Sequence, residues 1–136
     1  MYARIKTIAL LLLLVGFTSC QEKLMDRFER EAQEFSKKNC PQRYDDGMTI
    51  LDSVTFCKEA EGTFRLYYTI DVTEEQKQEI ISNHLPELRE MNLGIIKNSI
   101  QYRKMTEAGV TFAYEYKDAR TGEMVAEFTY KAEDYQ

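Results

Sequence analysis

Tryptophan is absent from these 136 residues, histidine occurs once, proline twice, cysteine three times and glycine six times. Each shortage removes a class of chemistry. His84 is the single imidazole and no Cys/His cluster accompanies it, so the three or four N, S or carboxylate ligands of a zinc site cannot be assembled. A Ser-His-acid triad would have to recruit His84, yet Ser53, Ser82 and Ser99 stand on no Gly-flanked elbow. No Gly-rich phosphate cradle is present. Asp45, Asp46 and Asp52 near Gly47 do not have the spacing of a calcium loop, and turn formation accounts for Asp-Asp-Gly. Paired carboxylates occur anywhere in so acidic a chain and point to no glycosidase. A basic excess is missing as well: 18 Lys and Arg face 23 Asp and Glu, a net charge of −5. Nucleic acid and anionic lipid headgroups are therefore poor partners. We expect no enzyme, no metal and no cofactor.

Long apolar runs are also lacking. The one uninterrupted stretch, Ile8 to Val15, belongs to a segment of about ten apolar residues, roughly 15 Å of helix against the ~30 Å of a bilayer core. What the segment offers instead is a short basic head (Arg4, Lys6), an apolar middle and a small-residue end, the layout of a secretory signal peptide. It ends in Gly16, Phe17, Thr18, Ser19 and Cys20 and so resembles the signal of bacterial lipoproteins. That resemblance implies removal of residues 1–19, acylation of Cys20 (palmitate among the chains) and stable anchoring, since more than two lipid chains exceed what retention requires. Gln21, in place of an aspartate, points to the bacterial outer membrane, with the leaflet open. Residues 20–23 are then a short tether, and 24–136 a single domain held close to the bilayer. Loss of Arg4 and Lys6 makes that domain more acidic still.

With Cys20 committed to lipid, Cys40 and Cys57 remain. An exported chain with an even count reads as a disulfide, worth ~3 kcal/mol for a loop of about 17 residues; structural free thiols are the alternative. The bond requires the end of the first helix to meet the far end of the next strand.

Leu24, Phe28, Ala32 and Phe35 recur at helical spacing, which predicts a helix over about 24–38, stopped by Asn39-Cys40-Pro41. Tyr44-Asp45-Asp46-Gly47 is a turn, and Met48–Lys58 is rich in β-branched and aromatic residues. After a second turn at Glu59–Gly62, Phe64, Leu66, Tyr68, Ile70 and Val72 alternate with polar partners. Thr73, with Gln76 three residues on, opens a second helical region. Pro86 predicts a kink or restart in it and Asn92-Leu93-Gly94 a second break, with helix again over about 95–106 until Gly109. A final hairpin pairs Val110, Phe112, Tyr114 and Tyr116 with Met124, Ala126, Phe128 and Tyr130 on one inward face. The fold class expected is α+β: two consecutive α-β-β units forming an antiparallel sheet of about four strands with helices on one face. The outward face then shows Arg65 and Tyr67, residue types enriched at interaction hot spots, as the candidate partner-binding pair.

The segments Asn39-Cys40-Pro41, Gly47 to Val54, Tyr67-Tyr68 and Tyr114-Glu115-Tyr116 resemble small exported proteins of unknown function from gut and oral bacteria. The resemblance implies an uncharacterised lipoprotein. The function expected is an anchored protein-interaction module for an unknown protein partner; an inhibitor or immunity-type lipoprotein acting on an exported hydrolase or toxin is the alternative.

Overall fold

The helical spacing of Leu24, Phe28 and Ala32 is realised as helix α1 over residues 23–39 in the computed structural model, which describes residues 23–59 and 62–136. Phe28 and Ala32 are buried on the sheet, and the Phe28 ring meets Phe56 edge-on at 5.4 Å. Asp26 lies against Lys58 at 2.9 Å, and the Ser36 hydroxyl both donates to Val54 O and accepts from Val54 N–H at 2.7 Å. Helix α1 therefore runs antiparallel to the strand beneath it. The Ser36 side chain also satisfies a backbone edge that a neighbouring strand would otherwise pair.

Five strands follow: β1 (Gln42–Arg43), β2 (Thr49–Cys57), β3 (Thr63–Ile70), β4 (Thr111–Asp118) and β5 (Met124–Tyr130), in that spatial order. The sheet has one strand more than the sequence suggests, because Gln42–Arg43 is too short to carry a pattern. Nor is it antiparallel throughout, since β3 and β4 are parallel. The reason is the connection. Parallel neighbours need a crossover that returns the chain to the starting end, and the helical stretch between Ile70 and Thr111 supplies it. The two hairpins, β2–β3 and β4–β5, are antiparallel as expected.

Register places the alternating residues on one face. Phe64 pairs with Phe112 and Tyr68 with Tyr116 across the parallel join, and Phe112 pairs with Tyr130 and Tyr114 with Phe128 in the second hairpin. All are buried, with Phe112 and Tyr130 fully so. In β2 a bulge between Leu51 and Ser53 lets Leu51 and Val54, three residues apart, both face inward. Met124 is the exception among the expected inward residues and is exposed.

The crossover begins with α2 (Glu74–Glu79), capped by Thr73. Its Oγ1 accepts from Gln76 N–H at 3.2 Å and its own N–H donates to the Gln76 side chain at 2.9 Å. A π-helical turn, Ile80–His84, then leads into α3 (Leu85–Asn98) with Pro86 in its first turn. Pro86 has no N–H to give and its ring crowds the carbonyl four residues back, so the ladder widens there. The break expected at Asn92–Gly94 is absent. Helix α3 runs through Gly94 because Asn92 and Ile96 are buried on its sheet side. It ends at Ser99, whose backbone is extended, and a 3₁₀ turn (Ile100–Tyr102) leads into α4 (Arg103–Glu107). Gly109, at φ +75°, closes α4 in the left-handed region. A last short helix, α5 (Ala132–Tyr135), brings Tyr135 against Phe112. Among the described residues no helix is long and apolar enough to cross a membrane.

The expected Cys40–Cys57 disulfide is not formed: Cys40 is a half-buried free thiol and Cys57 an exposed one. The direction of α1 explains this. Phe28 faces Phe56 and Ser36 faces Val54, so the chain leaves α1 beyond Val54, at the end of β2 opposite Cys57. Val54 and Cys57 are three strand steps apart, about 10 Å, past the ~7 Å that a disulfide bridges between Cα atoms.

Candidate functional site

All helices lie on the Phe64–Tyr68 face, but they do not close over it. α1 packs on β2 while α3 and α4 pack toward β4 and β5, and the inward face of β3 is the seam between them. Two apolar depressions open along that seam. The wide one, about 430 Å³, has Phe35 of α1 and Tyr44 on one wall, Tyr102 and Met105 on the other, and Leu66 and Tyr68 in its floor. The narrow one, about 240 Å³, runs between Met48 and the α3 residues Leu88 and Met91, over Ile70, Tyr116 and Ala126. Tyr68 of the wide half stacks on Tyr116 of the narrow half with ring centroids 4.9 Å apart, so a shared aromatic floor links the two.

Local sequence explains why apolar groups remain uncovered. His84, Leu88 and Met91 recur at four- and three-residue steps, a helical stripe that lines the narrow depression, with Leu88 half-buried against the core. Met91 and Ile95 are 55% and 46% exposed. The 3₁₀ turn after Ser99 rotates the chain so that Tyr102 packs between Phe64 and Phe112 (5.7 and 5.4 Å), while Ile100 projects outward, 77% exposed.

The floor is rich in phenols, several of them tied locally. Tyr68 and Tyr44 share a hydroxyl–hydroxyl contact of 3.2 Å, Asn92 Nδ2 donates to the Tyr116 hydroxyl at 2.9 Å, and Tyr130 donates to Arg89 O at 2.9 Å. Burial pushes the Tyr102, Tyr116 and Tyr130 phenols up to about 12, and raises Tyr68 and Tyr114 further. These groups stay neutral and serve as hydrogen-bonding apolar surface, not as acids or bases.

Near the narrow half lies an ion cluster with a buried centre, Lys77 and Asp118, and two exposed carboxylates, Glu74 and Glu123. Lys77 reaches Glu74 at 2.7 Å, Asp118 at 3.0 Å and Glu123 at 3.2 Å. The lysine is held charged, its pKa raised chiefly by the Glu74 and Asp118 contacts, and it pins α2 to the end of β4. The sequence alternates Lys77 among acids and gave no sign of its burial. His84 is solvent-facing, with Glu79 3.6 Å from Nε2 and Glu87 3.4 Å from Nδ1. Asp46 accepts from Met48 N–H, Thr49 N–H and the Thr49 hydroxyl, contacts that lower its pKa and define the turn. No group of metal-ligating side chains forms among the described residues.

Of the residues singled out from sequence, Cys20 lies outside the described residues. Arg65 and Tyr67 come together on the opposite, uncovered sheet face, where Arg65 approaches Glu127 at 3.7 Å and Tyr67 lies half-buried in register with Glu115. They are remote from the furrow, which the sequence reading missed. Its signal was present in the helical spacing of Leu88 and Met91, but that spacing alone does not tell an uncovered face from a buried one.

A family model described as a domain of unknown function (DUF8479) matches residues 23–126. Among curated proteins none matches. Three solved structures share the fold. A secreted protein from Pseudomonas aeruginosa is 16% identical, with 84% of this chain and 94% of that one covered and a TM-score of 0.67. EpsS, a pilotin of the type 2 secretion system of Vibrio vulnificus, is 13% identical over 85% and 94%, with a TM-score of 0.64. AspS, a type II secretion system pilotin from Vibrio cholerae, is 13% identical over 88% and 98%, with a TM-score of 0.60. At this identity the likeness is one of fold.

Proposed function

This chain belongs to the family of the domain of unknown function DUF8479, and from that premise we propose that it is an exported, outer-membrane-anchored, non-enzymatic lipoprotein whose furrow docks a segment of a partner protein. The observation that carries the reading is the uncovered apolar seam, about 430 Å³ in its wide half alone. A small domain that could have closed α1 against α4 instead leaves Phe35, Tyr44 and Ile100 at the surface. Large exposed apolar surface beside polar rims marks interaction sites. The fold shared with two secretion-system pilotins supports a pilotin-like role. In this proposal residues 1–19 are a removed signal peptide, Cys20 carries the lipid and residues 20–23 hold the domain at the membrane.

Photocrosslinking tests it. A photoreactive amino acid at Phe35 or Gln101 should trap a discrete partner in intact cells, and one at Thr129 on the open sheet face should not. Trapping from Thr129 alone would overturn the furrow and favour the Arg65–Tyr67 face, the second surface proposed; Arg65→Ala with Tyr67→Ala then removes the adduct. Cys20→Ala should release the protein from the membrane fraction. Retention of a signal-cleaved Cys20→Ala protein at the membrane would refute the anchor.

A further inference from the structure

The two halves of the furrow differ in charge. The wide half carries one charged side chain in its lining, Glu31, which is already paired with Arg27 at 2.7 Å. The narrow half and its outer lip are edged by Glu75, Glu79 and Glu87, three acids against the single His84 between them, and no lysine or arginine lines either. Two of the three basic residues on that helical wall are engaged elsewhere, Lys77 buried on Asp118 and the Arg89 guanidinium 5.0 Å over the Tyr130 ring, and the third, Lys97, stands in the last turn of α3, outside the trough lining. Methionines line the apolar part, with Met48 and Met91 at the surface and Met124 exposed nearby in β5. Thioether side chains are flexible and polarizable and suit a surface that moulds to a docked segment.

We propose that this methionine-edged, acid-rimmed trough takes a basic amphipathic segment of a protein partner. The inference rests on the docking reading above and supplies the partner's chemistry. An apolar stripe on the segment covers Leu88, Met91 and Ala126, while flanking lysines or arginines reach Glu79 and Glu87, as in helix-in-groove recognition. Charge complementarity decides between occupants. A second copy of this chain would bring the same acidic rim, and an anionic membrane would be repelled by it.

The test uses the full-length protein in neutral detergent and two labelled peptides of about 15 residues, roughly four helical turns. Both carry leucine at helical three- and four-residue steps; one has lysine at the remaining positions and the other glutamate. Fluorescence anisotropy should show binding of the lysine peptide alone. Glu79→Gln with Glu87→Gln should weaken it by about tenfold, and 0.5 M salt should act in the same direction. Met91→Asp should abolish binding, and Phe35→Asp in the wide half should not. Equal binding of the glutamate peptide, no binding of the lysine peptide, indifference to the Glu→Gln changes, or loss with Phe35→Asp but not Met91→Asp would each overturn the inference. A sedimentation-detected dimer lost in Met91→Asp would assign the trough to a second copy instead. A cellular crosslink from Phe35 that persists in the Glu→Gln variant would preserve the docking reading while removing this one, so the two fail separately.

Discussion

The two α-β-β halves of the sheet are closed in different ways. In the second half, covered by α2 to α5, polar ties hold the helices to the sheet and the residue leading into it: Asn92 to Tyr116, Tyr130 to Arg89 O, Tyr135 to Val110 O at 2.7 Å, and Lys77 to Asp118. In the first half, α1 is held by the Phe28–Phe56 contact, the Ser36 hydroxyl on Val54 and an exposed Lys58–Asp26 pair. Buried hydrogen bonds demand one geometry, whereas apolar contacts accept several. The tightly specified half thus provides a fixed wall, the lightly tied helix α1 provides the other, and the seam falls where the two meet.

Alkaline pH should break this contrast most completely. Each of the six raised phenols, Tyr135 included, binds its proton more tightly folded than unfolded, so the folded state loses stability as pH rises above the ordinary tyrosine value near 10 and through about 12. Below pH 10 they contribute no pH dependence. Five of the six lie in the crossover or second half, so near-UV circular dichroism should report unfolding in step with phenolate absorbance. Phenolate formation well below the unfolding transition would contradict their burial.

Core truncation comes next. Phe112 is fully buried among Phe64, Tyr102 and Tyr135, and Phe112→Ala should cost ~3–5 kcal/mol in urea unfolding. Phe28→Ala should cost less, because only α1 depends on it. Equal losses would mean that α1 is as tightly specified as the second half.

Polar ties sharpen the comparison at smaller magnitude. Asn92→Ala removes the partner of the Tyr116 hydroxyl and should cost about 1–3 kcal/mol. Ser36→Ala strips both hydrogen bonds from Val54, yet that edge lies nearer to solvent, and a loss of about 1 kcal/mol is expected. Hydrogen exchange should place the Ser36→Ala effect in α1 and β2 alone.

The smallest effect concerns reactivity rather than stability. Cys57, exposed at the end of β2, should alkylate readily without reductant. Cys40 should react more slowly, since burial raises its thiol pKa. Protection of both that disappears on reduction would restore the disulfide and require α1 to run the other way.

Much of this molecule was legible from sequence because its signals are local. The Thr73–Gln76 cap, the Pro86 restart, the Gly109 terminus and the alternation in β3, β4 and β5 each depend on neighbours within a few residues, where backbone sterics and period-two or 3.6 patterning act. Gly94 misled because a glycine's local cost, about 1 kcal/mol, is outweighed by the burial of Asn92 and Ile96 on either side. Tertiary structure alone decided the rest. The parallel β3–β4 join follows from the path of the whole crossover, the free thiols from the direction of α1 over β2, and the burial of Lys77 from acids at positions 118 and 123. The furrow is the clearest case: Met91 and Phe35 obey the same periodicity as core residues, and only the spacing between two helical walls leaves them uncovered. Periodicity determines which side chains share a face; what covers that face is set by elements far away in the chain.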